Sequence, residues 1–138
     1  MTRPDVKTLL TASMSANNGG KPADPDSTSK AAKRLAFLEK TTAGGSEDPL
    51  AWYGLAMEYR KLQRVDEALQ TFTTLRTRKP DYVAMYLMAG QMLDEAGRKD
   101  EAREWLESGL SAAKAKGDSH AASEIESALA LLDGQGDG

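Results

Sequence analysis

The sequence predicts an all-α fold built from stacked helical hairpins, and three observations predict it. Displacing the chain by 34 residues against itself brings aromatic, small and apolar residues into register in the same order. From about residue 30 onward, apolar residues recur at steps of three and four, the spacing of one helical face. Pro80, Gly97 and Gly117 fall between those stretches, where the chain has to turn.

The self-alignment pairs Trp52 with Tyr86, Ala56 with Gly90, Tyr59 with Leu93 and Phe72 with Leu106. Arg64 meets Arg98, and Asp66-Glu67-Ala68 meets Asp100-Glu101-Ala102. A shared tripeptide alone is weak evidence, but matched residue classes over a full period mark an internal repeat.

Each repeat reads as two helices. Trp52, Leu55, Ala56, Tyr59 and Leu62 share one face of the first. Asp48 is suited to cap that helix, and Pro49 to begin it. Gln63 and Arg64 make the bend. Val65, Ala68, Leu69, Phe72 and Leu75 then line a second helix, which Lys79-Pro80-Asp81 stops, because proline cannot continue it. In the second repeat Tyr86, Ala89, Gly90, Leu93 and Ala96 line one helix, Gly97 turns the chain, and Ala102, Leu106, Gly109, Leu110 and Ala113 line the next. The repeated Asp-Glu places acids in a first helical turn, where they complement the helix dipole. Ala56 and Gly90 allow close helix approach, with Ala68 and Ala102 as the receiving surface.

Residues 1–29 read as a disordered tail, small, polar and rich in turn residues such as Asn17-Asn18-Gly19-Gly20. Lys30 to Lys40, with Ala31, Leu35 and Leu38, reads as an N-terminal flanking helix. After Gly117-Asp118-Ser119, the stripe Ala121, Ala122, Ile125, Ala128, Leu129 and Leu132 reads as a C-terminal capping helix over about 118–133. Two hairpins bury too little alone, and the flanking helices complete the stack. Residues 134–138 read as a frayed end. The helical domain is thus residues 30–133.

Composition excludes several classes of function. The 138 residues carry a net charge of −3 with acids and bases interspersed. That argues against a nucleic-acid or anionic-membrane partner, since both favour a basic field. There is no cysteine, which excludes disulfides and thiolate chemistry and suits a reducing, cytoplasmic setting. One histidine, His120, cannot make a histidine-rich metal site, and it reads as a solvated surface residue. The apolar patch at Leu9 and Leu10 is too short for a secretory signal. No stretch reaches the ~20 apolar residues of a membrane span. Gly19-Gly20 and Gly44-Gly45 lack the strand and lysine of a phosphate loop. Asp94, Glu95, Asp100, Glu101, Glu104 and Glu107 are spread over polar faces and are not a catalytic pair in one cleft. The reading is non-catalytic, with no cofactor and no metal.

The run from Pro49 to Ala113 resembles two tetratricopeptide repeats. That family's order is Trp, Leu-Gly, Tyr, Ala, Phe and Pro, and here Trp52, Leu55-Ala56, Tyr59, Ala68, Phe72 and Pro80 stand at those spacings. The second copy has Tyr86, Ala89-Gly90, Leu93, Ala102 and Leu106, with Lys114 in place of the proline. The resemblance covers roughly half the chain, with repeats at about 49–82 and 83–116. The missing proline implies that the last repeat helix runs to about Lys116. The resemblance implies a short right-handed α-α superhelix, like the compact repeat proteins common in bacteria, and a protein or peptide partner.

In that family the first helices of successive repeats line a concave groove. The implied groove residues are Leu50, Tyr53, Met57, Arg60 and Lys61 from the first repeat. Ala84, Leu87, Gln91 and Asp94 come from the second, and Glu95 stands with Lys61 at the rim. Arg60 and Lys61 are within reach of Asp94 and Glu95 as a weak exposed pairing. This surface, apolar with polar ends, suits an extended segment or an amphipathic helix, unless the flanking helices cover it. One subclass grips a terminal carboxylate with groove Lys and Asn. Tyr53 and Met57 stand where that clamp would begin, so a chaperone tail is not the implied partner. Met85, Met88 and Met92 read as packing between helices, and Trp105 as packing beneath the C-terminal helix. The implied role is an adaptor or scaffold that is a monomer or a weak homo-oligomer. The alternative is a structural self-assembler stacking through its ends.

Overall fold

The structure, a computed structural model, describes residues 25–136. The predicted tail over residues 1–24 and the last two residues lie outside the described residues. The chain divides into two units, Met1–Ala36 and Phe37–Gly138. Helix α1 (Pro25–Ala43) begins in the first and ends in the second. It starts earlier than the predicted Lys30, because Pro25 suits a first helical turn. In the first unit, Ala31 and Leu35 are half-buried and Lys33 and Arg34 are exposed.

In the second unit, five helices follow: α2 (Pro49–Lys61), α3 (Val65–Arg78), α4 (Val83–Glu95), α5 (Lys99–Lys116) and α6 (Ser119–Gly136). No strand occurs among the described residues. Helix α5 ends at Lys116, where the absent proline put it. Helix α6 runs on to Gly136, past the predicted frayed end at Gly134. Glycine costs a helix only about 1 kcal/mol, too little to stop one already packed.

The packing is between neighbours. Helix α2 lies on α3, α4 on α5, and α6 on α5 and α4, with α3 joined to α4 between the hairpins. The shared core is Phe72, Leu75, Met85, Leu93, Leu106, Ile125 and Leu132, each nearly or wholly removed from solvent. The small residues set the helix spacing. A Cβ at Gly90 would meet the Leu106 Cδ2 at 2.6 Å, so α4 and α5 approach as closely as the sequence implied.

The turns repeat as well. Asp48 caps α2, its Oδ1 accepting from the Leu50 amide at 3.0 Å. Asp118 caps α6 by accepting from the Ala121 amide at 3.0 Å. Gln63, Gly97 and Gly117 all take positive φ, at 63°, 80° and 75°. After each, an amide reaches back along the helix: Arg64 to the Tyr59 carbonyl at 2.9 Å, Arg98 to Leu93 at 2.8 Å, and Asp118 to Ala113 at 2.9 Å. Each is a Schellman-type helix end, which favours glycine. A non-glycine residue in the left-handed region costs about 1–2 kcal/mol. Gln63→Gly is therefore expected to raise stability by roughly 0.5–1 kcal/mol, after the extra entropy of the unfolded glycine is subtracted. Urea unfolding of the pair of proteins measures it.

The repeated aromatic has a role beyond filling space. The Trp52 indole donates to the Ser46 carbonyl at 2.8 Å. The Tyr86 hydroxyl donates to the Pro80 carbonyl at 2.6 Å. Both acceptors lie six residues before their donors, so this side chain ties each incoming loop to its helix. The Asp-Glu pair likewise does more than complement a dipole. Glu67 pairs with Arg64 at 2.5 Å and Glu101 with Arg98 at 2.7 Å. Asp66 pairs with Arg98 of the next repeat at 2.7 Å. Hydrogen bonding to Glu101 and Asp66 raises the Arg98 pKa.

Trp105 packs its ring toward α3 and α4. Its ring neighbours are Phe72 on α3 and Tyr86 on α4, at centroid distances of 6.4 and 5.9 Å. The Arg76 guanidinium lies 4.7 Å from its centroid and is held there by Glu104 and Ser108. On α5, Gly109 stands against both Tyr86 of α4 and Ile125 of α6.

Candidate functional site

Helix α4 shares one surface hollow with α2 and another with α6. Helices α2 and α4 are linked by Tyr53, whose ring is tilted against Tyr82 at 5.4 Å and edge-on to Phe72 at 6.5 Å. This seats Tyr53 half-buried. Burial raises its pKa, and the Arg60 charge partly opposes that. Tyr82 is raised too, by burial and then by Tyr53 and Asp48.

The other implied residues divide by exposure. On α2, Leu50 is 64 % exposed, Met57 and Arg60 are half-buried, and Lys61 is exposed. On α4, Ala84 and Gln91 are exposed, while Leu87 and Asp94 are half-buried. Arg60 reaches across to α4, with Nη2 3.3 Å from a Glu95 oxygen and Nη1 3.5 Å from the Met88 carbonyl. Lys61 does not cross. It pairs with Glu58 of its own helix at 3.5 Å, and Asp94 pairs with Lys99. The reason is reach: partners three or five residues away along the chain are nearer than the facing helix.

Met85 and Met92 are core residues, in line with their reading as packing. Met88 is at the groove edge, its sulfur 3.6 Å from Arg60 Nη1. His120 is exposed, with Nε2 3.7 Å from Glu124.

Among the surface hollows, two that border the implied groove residues differ in character. Between α2 and α4 lies a hollow of about 340 Å³, lined by Met57, Arg60, Lys61, Met92 and Glu95 among others. Between α4 and α6 lies a larger cleft of about 550 Å³. Leu87, Gln91, Asp94 and Glu95 form its α4 wall, and Leu106 its floor. The α6 wall carries Ser123, Glu124, Ser127, Ala128 and Leu131, with Leu131 68 % exposed. Reading α6 only as a cap missed this wall. The available signal was the step of four through Ser123, Ser127 and Leu131, a second face beside the core stripe of Ile125 and Leu132.

Chemically, the surface offers apolar contact flanked by carboxylates and one guanidinium. Among the described residues, no group of three or more His, Asp or Glu side chains is placed to hold a metal ion. No helix among them is long and apolar enough to cross a membrane.

Comparison with known proteins agrees with the helical-repeat fold. A tetratricopeptide-repeat family model matches residues 53–119. The solution structure of a tetratricopeptide repeat domain protein from Salinibacter ruber is 31 % identical, with a TM-score of 0.60, over 63 % of this chain and 88 % of that one. A crystal structure of a Salinibacter ruber tetratricopeptide repeat domain protein gives 31 % identity and a TM-score of 0.59, over 64 % and 99 % of the two chains. The solution structure of a Bordetella parapertussis protein is 28 % identical, with a TM-score of 0.64, over 73 % and 88 %. No curated protein matches the chain.

Proposed function

The chain belongs to the tetratricopeptide-repeat family, whose domains are generally protein–protein interaction modules and typically not catalysts, and from that premise we propose that it is an adaptor or scaffold binding a segment of a partner protein across α2, α4 and α6. One observation carries the proposal. Leu50, Tyr53, Met57, Leu87 and Leu131 leave apolar surface exposed or part-exposed on α2, α4 and α6, and Arg60, Lys61, Asp94 and Glu95 stand in the last turns of α2 and α4. Such a surface matches the way an apolar-anchored segment is read, with side chains entering a groove and polar ends setting register. The lack of cysteine supports placement in a reducing compartment, the cytoplasm.

Affinity capture with a Tyr53→Ala, Leu87→Ala double variant tests it. The wild-type chain is expected to retain a partner, and the variant to lose most of it while keeping its helical circular dichroism. Equal retention by both would move the site to another face. A second reading, self-assembly through the ends of the stack, is favoured by Phe37, which is 67 % exposed on α1. A concentration-independent monomer mass in solution would dismiss it.

A further inference from the structure

We infer that the α4–α6 cleft takes a basic amphipathic segment, one with apolar anchors and flanking Lys or Arg. This rests on the groove reading above and adds the chemistry of the partner. Among the described residues, no Lys or Arg lines this cleft. Its apolar strip runs from Leu87 over Leu106 to Ala128 and Leu131. Three carboxylates rim it: Asp94 and Glu95 at the end of α4, and Glu124 on the facing helix.

Those carboxylates retain capacity. Glu95 is 70 % exposed in its side chain, and its contact to Arg60 is long at 3.3 Å. Glu124 is about half exposed and faces only the His120 ring, at 3.7 Å, among its ionic contacts. Asp94 is paired with Lys99, yet a carboxylate has about four acceptor positions. An incoming Arg or Lys can therefore share these groups without breaking the existing pairs. An acidic segment would meet like charge on both walls. The α2–α4 hollow differs, because Arg60 and Lys61 line it. Glu95 borders both hollows, but only in the α4–α6 cleft do the described lining residues carry carboxylates with no cation among them. Two helical walls with an apolar floor suit a helix laid in a groove, read by residues at steps of three and four.

The test uses a labelled Leu/Lys amphipathic peptide, the same peptide with Glu for every Lys, and fluorescence anisotropy on the full chain. The Lys peptide is expected to bind, and the Glu peptide at least tenfold more weakly. Glu124→Lys and Leu131→Asp each change an exposed side chain and are expected to weaken the Lys peptide about tenfold or more. Glu126→Lys adds the same charge to α6 away from this cleft and is expected to weaken it less than threefold. An equal loss from Glu126→Lys and Glu124→Lys would mean attraction by net charge alone and overturn the inference. So would equal binding of the two peptides, or binding of neither. If Tyr53→Ala with Leu87→Ala abolishes binding while Glu124→Lys and Leu131→Asp leave it intact, the groove reading stands and this inference falls. If none of these variants matters, both fall.

Discussion

Phe72→Ala is expected to lower stability by about 3–5 kcal/mol, the range for deleting a buried aromatic ring. Phe72 is fully removed from solvent. Its ring stands edge-on between Tyr53 of α2 and Trp105 of α5, at 6.5 and 6.4 Å. One side chain on α3 therefore touches both hairpins. Removing it leaves a cavity that the rings around it cannot fill without breaking their own contacts, Tyr53 with Tyr82 and Trp105 with Tyr86. For a small domain, about 5–15 kcal/mol is the usual total stability, so the variant is expected to lose a large share of it and to unfold at a markedly lower denaturant concentration. Phe72→Leu keeps most of the volume and should cost well under half as much. Denaturant unfolding of both variants checks the pair. Similar losses would show that the site collapses around a missing ring, against the packing described.

Gly109→Ala is expected to destabilise by about 1–2 kcal/mol, against its helix propensity. In an open helical position the same change stabilises by about 1 kcal/mol. Here the added methyl would lie well inside contact distance of the Tyr86 Cβ. It would also sit 3.0 Å from the Tyr86 Cγ and 3.2 Å from the Ile125 Cδ1. The Tyr86 Cβ is fixed to the α4 backbone, so relief requires moving a helix, and overpacking of that kind costs about 1–3 kcal/mol. Crowding therefore exceeds propensity. Gly134 is helical, and a methyl added there would meet nothing within 4 Å. It is the control, and Gly134→Ala should be neutral or stabilising. Thermal unfolding in parallel decides between the two effects. A stabilised Gly109→Ala would mean that α4 and α5 are further apart than described.

Much of this fold is legible in the sequence because each element needs only local cues. Asp48-Pro49 marks a helix start, Gly97 and Gly117 mark left-handed ends, and Trp52 and Tyr86 recur at one period. Gln63 was readable only as a bend. Its left-handed conformation emerges from comparison with Gly97, one period on. Trp105 was harder, because spacing puts it on a face but does not say which neighbour that face meets. The candidate site was half legible. The α2 and α4 residues follow from the repeat, and they are proposed groove residues. The α6 wall does not follow, for a physical reason. The loop between α3 and α4 spans residues 79–82, whereas α5 continues to Lys116 and only Gly117 and Asp118 intervene before α6. The period of 34 is thereby lost, and displacing Gln91 by one period lands on the buried Ile125, not on the cleft.

Among the described helices, α6 packs on two others, α5 and α4, whereas α4 packs on three, α3, α5 and α6. In such a neighbour-packed array, a helix with fewer partners breaks fewer sets of contacts when it opens. Amides of α6 are therefore expected to exchange with solvent before those of α4. Since α6 supplies one wall of the larger cleft, that wall is expected to open more readily than the α4 wall facing it. A ligand spanning α4 and α6 would act as a clasp between the two walls. Occupancy of the cleft and the slowing of exchange along α6 are then one linked equilibrium, each a measure of the other.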